Sequence, residues 1–219
     1  MPHFFATRQG DRVEIVGADA RHLARSLRAR PGELISVVEP QGLLLTVRIE
    51  SVSPAAVTGR VEAEAEHRPE PDRAVTMAPA MLPEGALDLV LSRCTEAGAA
   101  GFLLVQAARS PARPSRAERW AAICREAAML AGRLVVPAVE GPLPFPAAWE
   151  RATHPVLLDR AGPPLARLRG PATLFVGPEG GWSPAEAQLA GDRVRSLGPR
   201  NLRADTAALA GLVLALGPA

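Results

Sequence analysis

Over the first seventy residues apolar and polar side chains alternate in short runs, the period of half-buried β-strands. Val13-Glu14-Ile15-Val16 reads as one strand; Leu34 to Val38 and Leu43 to Ile49 read as a pair turning at Pro40-Gln41-Gly42. In Val57 to Glu64 the two-residue period sends Val57, Gly59, Val61 and Ala63 inward. Thr58, Arg60, Glu62 and Glu64 then face outward. Asp19 is placed to cap a short helix running to about Arg28, and Pro31-Gly32 turns the chain after it. Two prolines in His67-Arg68-Pro69-Glu70-Pro71-Asp72-Arg73 exclude a central strand or helix there. That segment is the expected linker between a β-rich unit at 1–70 and a second domain at 74–219.

From Val75 the pattern changes to strand–helix–strand. Val75 to Ala78 is the expected first strand, and Pro83-Glu84 opens a helix to about Ala97. Phe102 to Val105 is the next strand. Ser115-Arg116-Ala117-Glu118 has the form of a capping box for a helix to about Ala131. Val156 to Leu158 and Thr173 to Val176 are apolar runs of buried-strand type. Ser183-Pro184-Ala185-Glu186 is a second capping box, followed by a strand at Val194 to Leu197 and a last helix from Asp205. Alternation of this kind predicts an α/β class with a mainly parallel sheet covered by helices.

Composition narrows the partners. The chain has 219 residues, 25 basic and 23 acidic, for a formal net charge of +2. Every basic residue is arginine, so any anion contact can be planar and bidentate. Acids outnumber arginines before residue 73 and arginines outnumber acids after it. With 47% hydrophobic residues and two cysteines, a disordered chain or a disulfide scaffold is excluded. Cys94 and Cys124 point to a reducing compartment and read as small core residues. The polar start and the lack of an apolar run near the roughly 20 residues of a membrane span predict a soluble cytoplasmic protein. His3, His22, His67 and His154 have no ligand spacing, so no metal is expected.

Arg21, Arg25, Arg28 and Arg30 lie on or near the short N-terminal helix, the first three with i, i+4, i+7 spacing. Arg109, Arg113, Arg116 and Arg119 surround a proline-containing loop. Each group is either a solvated face or a phosphate-contacting surface. Two loops at expected strand ends carry the other candidate chemistry. Gly177-Pro178-Glu179-Gly180-Gly181-Trp182 precedes the capped helix at Ser183. Leu197-Gly198-Pro199-Arg200-Asn201-Leu202-Arg203-Ala204-Asp205-Thr206 leads into the last helix. Strand ends of open α/β sheets are the usual ligand positions. Trp182 is either a stacking partner or a hydrophobic plug.

Together Phe175 to Gly181 with Ser183 and Glu186, and Leu197-Gly198-Pro199-Arg200, Leu202-Arg203 and Asp205-Thr206-Ala207, closely resemble the RsmE family. These are SPOUT-type 16S ribosomal RNA (uracil-N3) methyltransferases. The similarity runs over nearly the whole chain: His3-Phe4-Phe5, His22-Leu23, Ser26-Leu27-Arg28 and Pro31-Gly32-Glu33 look like the family's N-terminal domain. Thr95-Glu96-Ala97-Gly98 and Gly132-Arg133 with Pro137 match further stretches. Arg93 stands where lysine is usual, Met129-Leu130 where Glu-Gln is usual, and Asn201 where an aliphatic residue is usual.

The resemblance implies a PUA-like β-barrel domain followed by a SPOUT domain with a parallel sheet and a deep trefoil knot. It implies S-adenosylmethionine bent in that knot, held by backbone of 177–181 and 197–202. Gly177, Pro178, Glu179, Gly180 and Gly181 form one wall of this expected site, and Gly198, Pro199 and Asn201 another. Leu158, Val176, Leu197 and Leu202 supply apolar surface beside Ala207. The implied activity is methylation of N3 of one uridine near the decoding centre, in small-subunit maturation. N3 of uracil must lose its proton to attack a sulfonium methyl, and an arginine stabilises the developing anion without losing its own proton. Arg203 and Arg200 are the candidates, with Glu179 or Asp205 as orienter or proton acceptor. Arg203 could instead pair with Asp205 at the helix start. Arg8, Arg21, His22, Arg25 and Arg28 are the expected RNA contacts. The competing readings are an inactive ribosome-assembly factor of the same fold and a SPOUT enzyme for another RNA site. The uncharged Thr206 to Leu216 predicts a helix buried nearly all round, covered in part by a second copy in a homodimer.

Overall fold

The computed structural model describes residues 2–111 and 114–217. The chain divides into two compact units. One comprises the chain up to Glu70 together with Ala128–Val135; the other comprises Pro71–Ala127 and Val136–Ala219.

The first unit is built on β1 (His3–Phe5), β2 (Thr7–Gln9), β3 (Arg12–Val16), β4 (Leu34–Glu39), β5 (Leu43–Val52) and β6 (Ala56–Glu66), with the short helix α1 (Gly17–Arg21). They form a curled mixed sheet in the order β1-β4-β5-β6-β3-β2, in which only the β1–β4 pair is parallel. The ladder stays open between β1 and β2 among the described residues, so the expected barrel is a half-barrel. Phe4, Ile15, Leu23, Leu45, Val47, Ile49 and Val57 fill its core, and Met129 packs with them.

The unit departs from its sequence pattern at three points. Asp19 does not cap the helix: Val16 is the N-cap, and Asp19 lies buried in the first turn. Beyond Arg21 the backbone widens into a π-type turn over His22–Ser26, closed by the Leu27 N–H on the His22 carbonyl at 3.0 Å. Arg28 then takes a positive φ of 52°, so the α-helical spacing that would align Arg21, Arg25 and Arg28 is lost. In β6, Val57 and Gly59 are buried but Ala63 is exposed. The β5–β6 ladder shifts register between Thr46 and Val47, which ends the strict two-residue alternation.

The expected linker is tied down at two points. The His67 ring Nε2 lies 2.6 Å from the Gly132 carbonyl oxygen. Glu70 accepts Arg133 Nη2 at 2.6 Å, Nε at 3.1 Å, and the Leu134 N–H at 3.0 Å.

The second unit contains β7 (Val75–Pro79), α2 (Glu84–Glu96), β8 (Gly101–Gln106), α3 (Ala117–Ala131, its last turn belonging to the first unit), β9 (Ala138–Pro144), α4 (Phe145–Arg151), β10 (Pro155–Leu158), β11 (Ala172–Val176), α5 (Pro184–Ala190), β12 (Val194–Arg195) and α6 (Ala204–Leu216). Its six strands run parallel in the order β12-β10-β11-β7-β8-β9. All five residues of β11 are buried, as a central parallel strand covered on both faces requires. The capping box at Ser183 forms: its hydroxyl accepts the Glu186 N–H, and Glu186 accepts the Ser183 N–H at 2.7 Å. Helix α3 begins at Ala117, with the Trp120 N–H on the Arg116 carbonyl, one residue later than a cap at Ser115 predicts. Burial, with a smaller contribution from Cys124, pushes the Cys94 thiol up to about 12, so it remains protonated at neutral pH.

Helix α6 packs Ala208, Gly211, Leu212 and Ala215 into the core of its own unit. A Cβ at Gly211 would stand 2.8 Å from Leu158 Cδ1 and 3.0 Å from Leu174 Cδ2, so this glycine serves the contact with β10 and β11. Gly211 thus faces the sheet of its own chain rather than a second copy. Val213 and Leu214 are 50% and 46% exposed, so the helix is not buried all round within one chain. No helix among the described residues is long and apolar enough to cross a membrane.

Candidate active site

Strands β12, β10 and β11 are neighbours and parallel, so their carboxyl ends lie at one end of the sheet. Three loops leave from there: 159–162 after β10, 177–183 after β11 and 196–203 after β12. Between them lies a cleft of about 720 Å³. Its lining includes Leu158, Val176, the whole of 177–182, the whole of 197–202, and Ala204 and Ala207 on α6. The residues expected to hold the cofactor (Leu158, Val176, Gly177, Pro178, Glu179, Gly180, Gly181, Leu197, Gly198, Pro199, Asn201, Leu202 and Ala207) are thus brought to one cleft.

Asp159, Arg160 and Ala161 complete the third side. They escaped the sequence reading, although a loop following the apolar run Val156 to Leu158 was its signal. The Asp159 carboxylate accepts the Ala161 N–H at 2.9 Å and shapes this turn.

The charged candidates separate. Glu179 and Arg200 line the cleft and are exposed. Arg203 is the exposed N-cap of α6, between Leu202 and Ala204, which both line the cleft. It makes no ion pair with Asp205 among the described residues; Asp205 Oδ1 accepts the Thr206 N–H at 2.9 Å instead. Trp182 is the plug rather than the stacking platform. It is 7% exposed, donates its indole N–H to the Leu158 carbonyl at 3.0 Å, and lies with its ring 5.2 Å from that of Phe145.

Of the expected RNA contacts, Arg21, Arg25 and Arg28 are exposed and His22 is half-buried. The Arg8 guanidinium is held within its own unit by Glu39 at 3.2 Å and by Glu64. Of the second arginine cluster, Arg109 donates to the Gly180 carbonyl and Arg119 pairs with Asp88. Arg113 lies outside the described residues. Among the residues that depart from the family pattern, Met129 is buried in the first unit and Leu130 is 66% exposed.

A glycine-lined cleft at the carboxyl ends of adjoining parallel strands is the ligand-binding arrangement of an open α/β domain. A family model for the RNA methyltransferase domain matches residues 68–216. The ribosomal RNA small subunit methyltransferase E of Mycobacterium tuberculosis is 31% identical over 217 residues, covering 90% of this chain and 82% of that protein. Its counterpart in Synechocystis is 30% identical over 212 residues, covering 89% and 69%. The crystal structure of ribosomal RNA small subunit methyltransferase E from Neisseria gonorrhoeae bound to S-adenosyl methionine matches with a TM-score of 0.87 at 26% identity, covering 97% of this chain and 95% of that one. The chain belongs to the RsmE family, ribosomal RNA small subunit methyltransferase E.

Proposed function

We propose that this chain transfers a methyl group from S-adenosylmethionine to N3 of one uridine of 16S rRNA near the decoding centre, during maturation of the small ribosomal subunit in the cytoplasm. The observation that carries this reading is the cleft, where two glycine-containing loops meet apolar side chains. Leu158, Val176, Leu197 and Leu202 suit an adenine ring, and the backbone groups of 177–181 and 197–202 suit its polar edge. When bound, S-adenosylmethionine supplies the electrophilic methyl group. The chain's own part is to hold the uracil and stabilise its N3 as the proton leaves. Arg200, at the cleft, and Arg203, beside it, carry the positive charge for that anion, and Glu179 or Asp205 takes or orients the proton. A target inside a folded RNA must first be extruded. The trefoil knot belongs to the same reading, supported by the close return of α6 against β10 and β11 at Gly211.

Mass spectrometry of 16S rRNA from a strain lacking the gene tests the proposal. Loss of a single 3-methyluridine, with other modifications intact, is expected; an unchanged rRNA would overturn it. Calorimetry with S-adenosylhomocysteine separates an enzyme from an assembly factor that has lost catalysis, for which no binding at about millimolar ligand is expected.

The first unit's exposed Arg21, Arg25 and Arg28 are its proposed RNA-backbone contacts, with His22 beside them. Arg25→Glu combined with Arg28→Glu should weaken subunit binding and flatten its salt dependence by about one unit of slope per lost phosphate contact. Affinity for S-adenosylhomocysteine should not change. An unaltered slope would make these arginines an ordinary solvated face.

We also propose a homodimer through α6, on the exposed Val213 and Leu214 of a helix with no charged side chain after Asp205. Wild-type protein should sediment as a dimer at micromolar concentration, and Val213→Arg with Leu214→Arg as a folded monomer. Leu212 is a poor probe, since it is buried in its own subunit. A monomeric, fully active wild type would overturn the dimer.

A further inference from the structure

We infer that Arg109 is a positioning residue that holds the Gly180–Gly181 peptide of the cleft wall in one orientation; its use in methyl-donor binding rests on the function proposed above. A peptide between two glycines has no Cβ on either side to oppose a flip, so its orientation must be fixed from outside. Here both ends are fixed. The Gly180 carbonyl accepts Arg109 Nη1 at 2.8 Å, and the Gly181 N–H donates to the Pro178 carbonyl at 2.8 Å. Gly181 has a φ of +69°, which glycine adopts without strain. The arginine stem also covers the loop: a Cβ at Gly180 would meet Arg109 Cβ at 3.4 Å and Cδ at 3.5 Å.

Arg109 is itself pre-positioned. The Ala108 N–H donates to Glu186 Oε1 at 2.8 Å, while Glu186 Oε2 accepts the Ser183 N–H at 2.7 Å. A single buried carboxylate thus binds the loop after β8 to the start of α5, directly after the glycine loop. Arg109 does not line the cleft, whereas Gly180 and Gly181 do, so it acts on a ligand only through them. A charge-assisted hydrogen bond to a peptide that would otherwise flip orders the cleft wall before the ligand arrives.

Arg109→Met keeps most of the stem and removes the donor; Arg109→Lys restores a donor. In ligand-free full-length protein, hydrogen exchange of the amides of 179–182 should accelerate about tenfold in the methionine variant and recover in part in the lysine variant. Affinity for S-adenosylhomocysteine should fall about tenfold in parallel. KM for the methyl donor should rise while KM for RNA and the salt slope stay unchanged. Unchanged exchange, or unchanged affinity with faster exchange, would overturn the inference. So would a rise confined to the RNA KM, which would make Arg109 a phosphate contact. Failure of the wild type to bind S-adenosylhomocysteine would overturn the proposed function, and exchange would still decide whether Arg109 fixes the peptide.

Discussion

Arg203→Ala should lower turnover by about two orders of magnitude or more while leaving affinity for S-adenosylhomocysteine nearly intact, the scale of losing one donor that stabilises developing charge. The local geometry allows this separation. Arg203 has φ −65° and ψ 155°, values open to alanine, and its carbonyl accepts the Ala207 N–H at 2.8 Å. Removing the side chain therefore leaves the start of α6 in place, and with it Leu202, Ala204 and Ala207 at the cleft. The guanidinium is exposed and unpaired with Asp205, so its charge is available to a bound uracil. Single-turnover rates and calorimetry on the same preparation make the test. If ligand affinity falls as far as turnover, Arg203 shapes the loop, and the charge-stabilising role passes to Arg200.

The second large effect is on stability. Glu70→Ala should destabilise the folded chain by about 3 kcal/mol, the lower end of the scale for removing the partner of a buried charge. For a chain of this size that corresponds to a fall of roughly 6–12 °C in melting temperature. The Arg133 side chain is only 4% exposed, so solvent does not take the place of the Glu70 carboxylate when it is removed. The Leu134 N–H loses its acceptor at the same time. Glu70→Gln keeps an acceptor but not the charge, and should fall between alanine and wild type. An unchanged melting temperature in both variants would overturn this prediction and show that Glu70 is not needed to hold Arg133.

Much of the second unit was legible along the chain. The apolar runs at Val75, Phe102, Val156 and Thr173 became parallel strands, and the Ser183 capping box formed as its spacing indicates. These features are local: the hydrogen bonds and side-chain period that define them lie within a few residues. Strand β9 and helix α4 were not legible, because Gly141, Pro142, Pro144 and Pro146 read as breakers. An edge strand tolerates proline on its unpaired side. Helix α4 is held by contacts from outside itself, Trp149 lying 4.8 Å from the ring of Phe175 and Phe145 5.2 Å from that of Trp182.

The site divides in the same way. Its two glycine-containing loops could be found because glycine and proline mark turns wherever they occur, and the strand before each is apolar. The loop at Asp159 carries the same kind of backbone position, but it joins the cleft only because β10 lies between β12 and β11, and sheet order is not written in the spacing of residues. Charge followed the longest-range rule. Arg8 and Arg25 are alike as letters, yet Glu39 and Glu64 neutralise the first while the second stays exposed. Periodicity and turn chemistry act through neighbours in the chain and set the elements. Which strands adjoin, which carboxylate meets which arginine, and which side of α6 is covered depend on contacts between distant residues, so these were decided only by the folded structure.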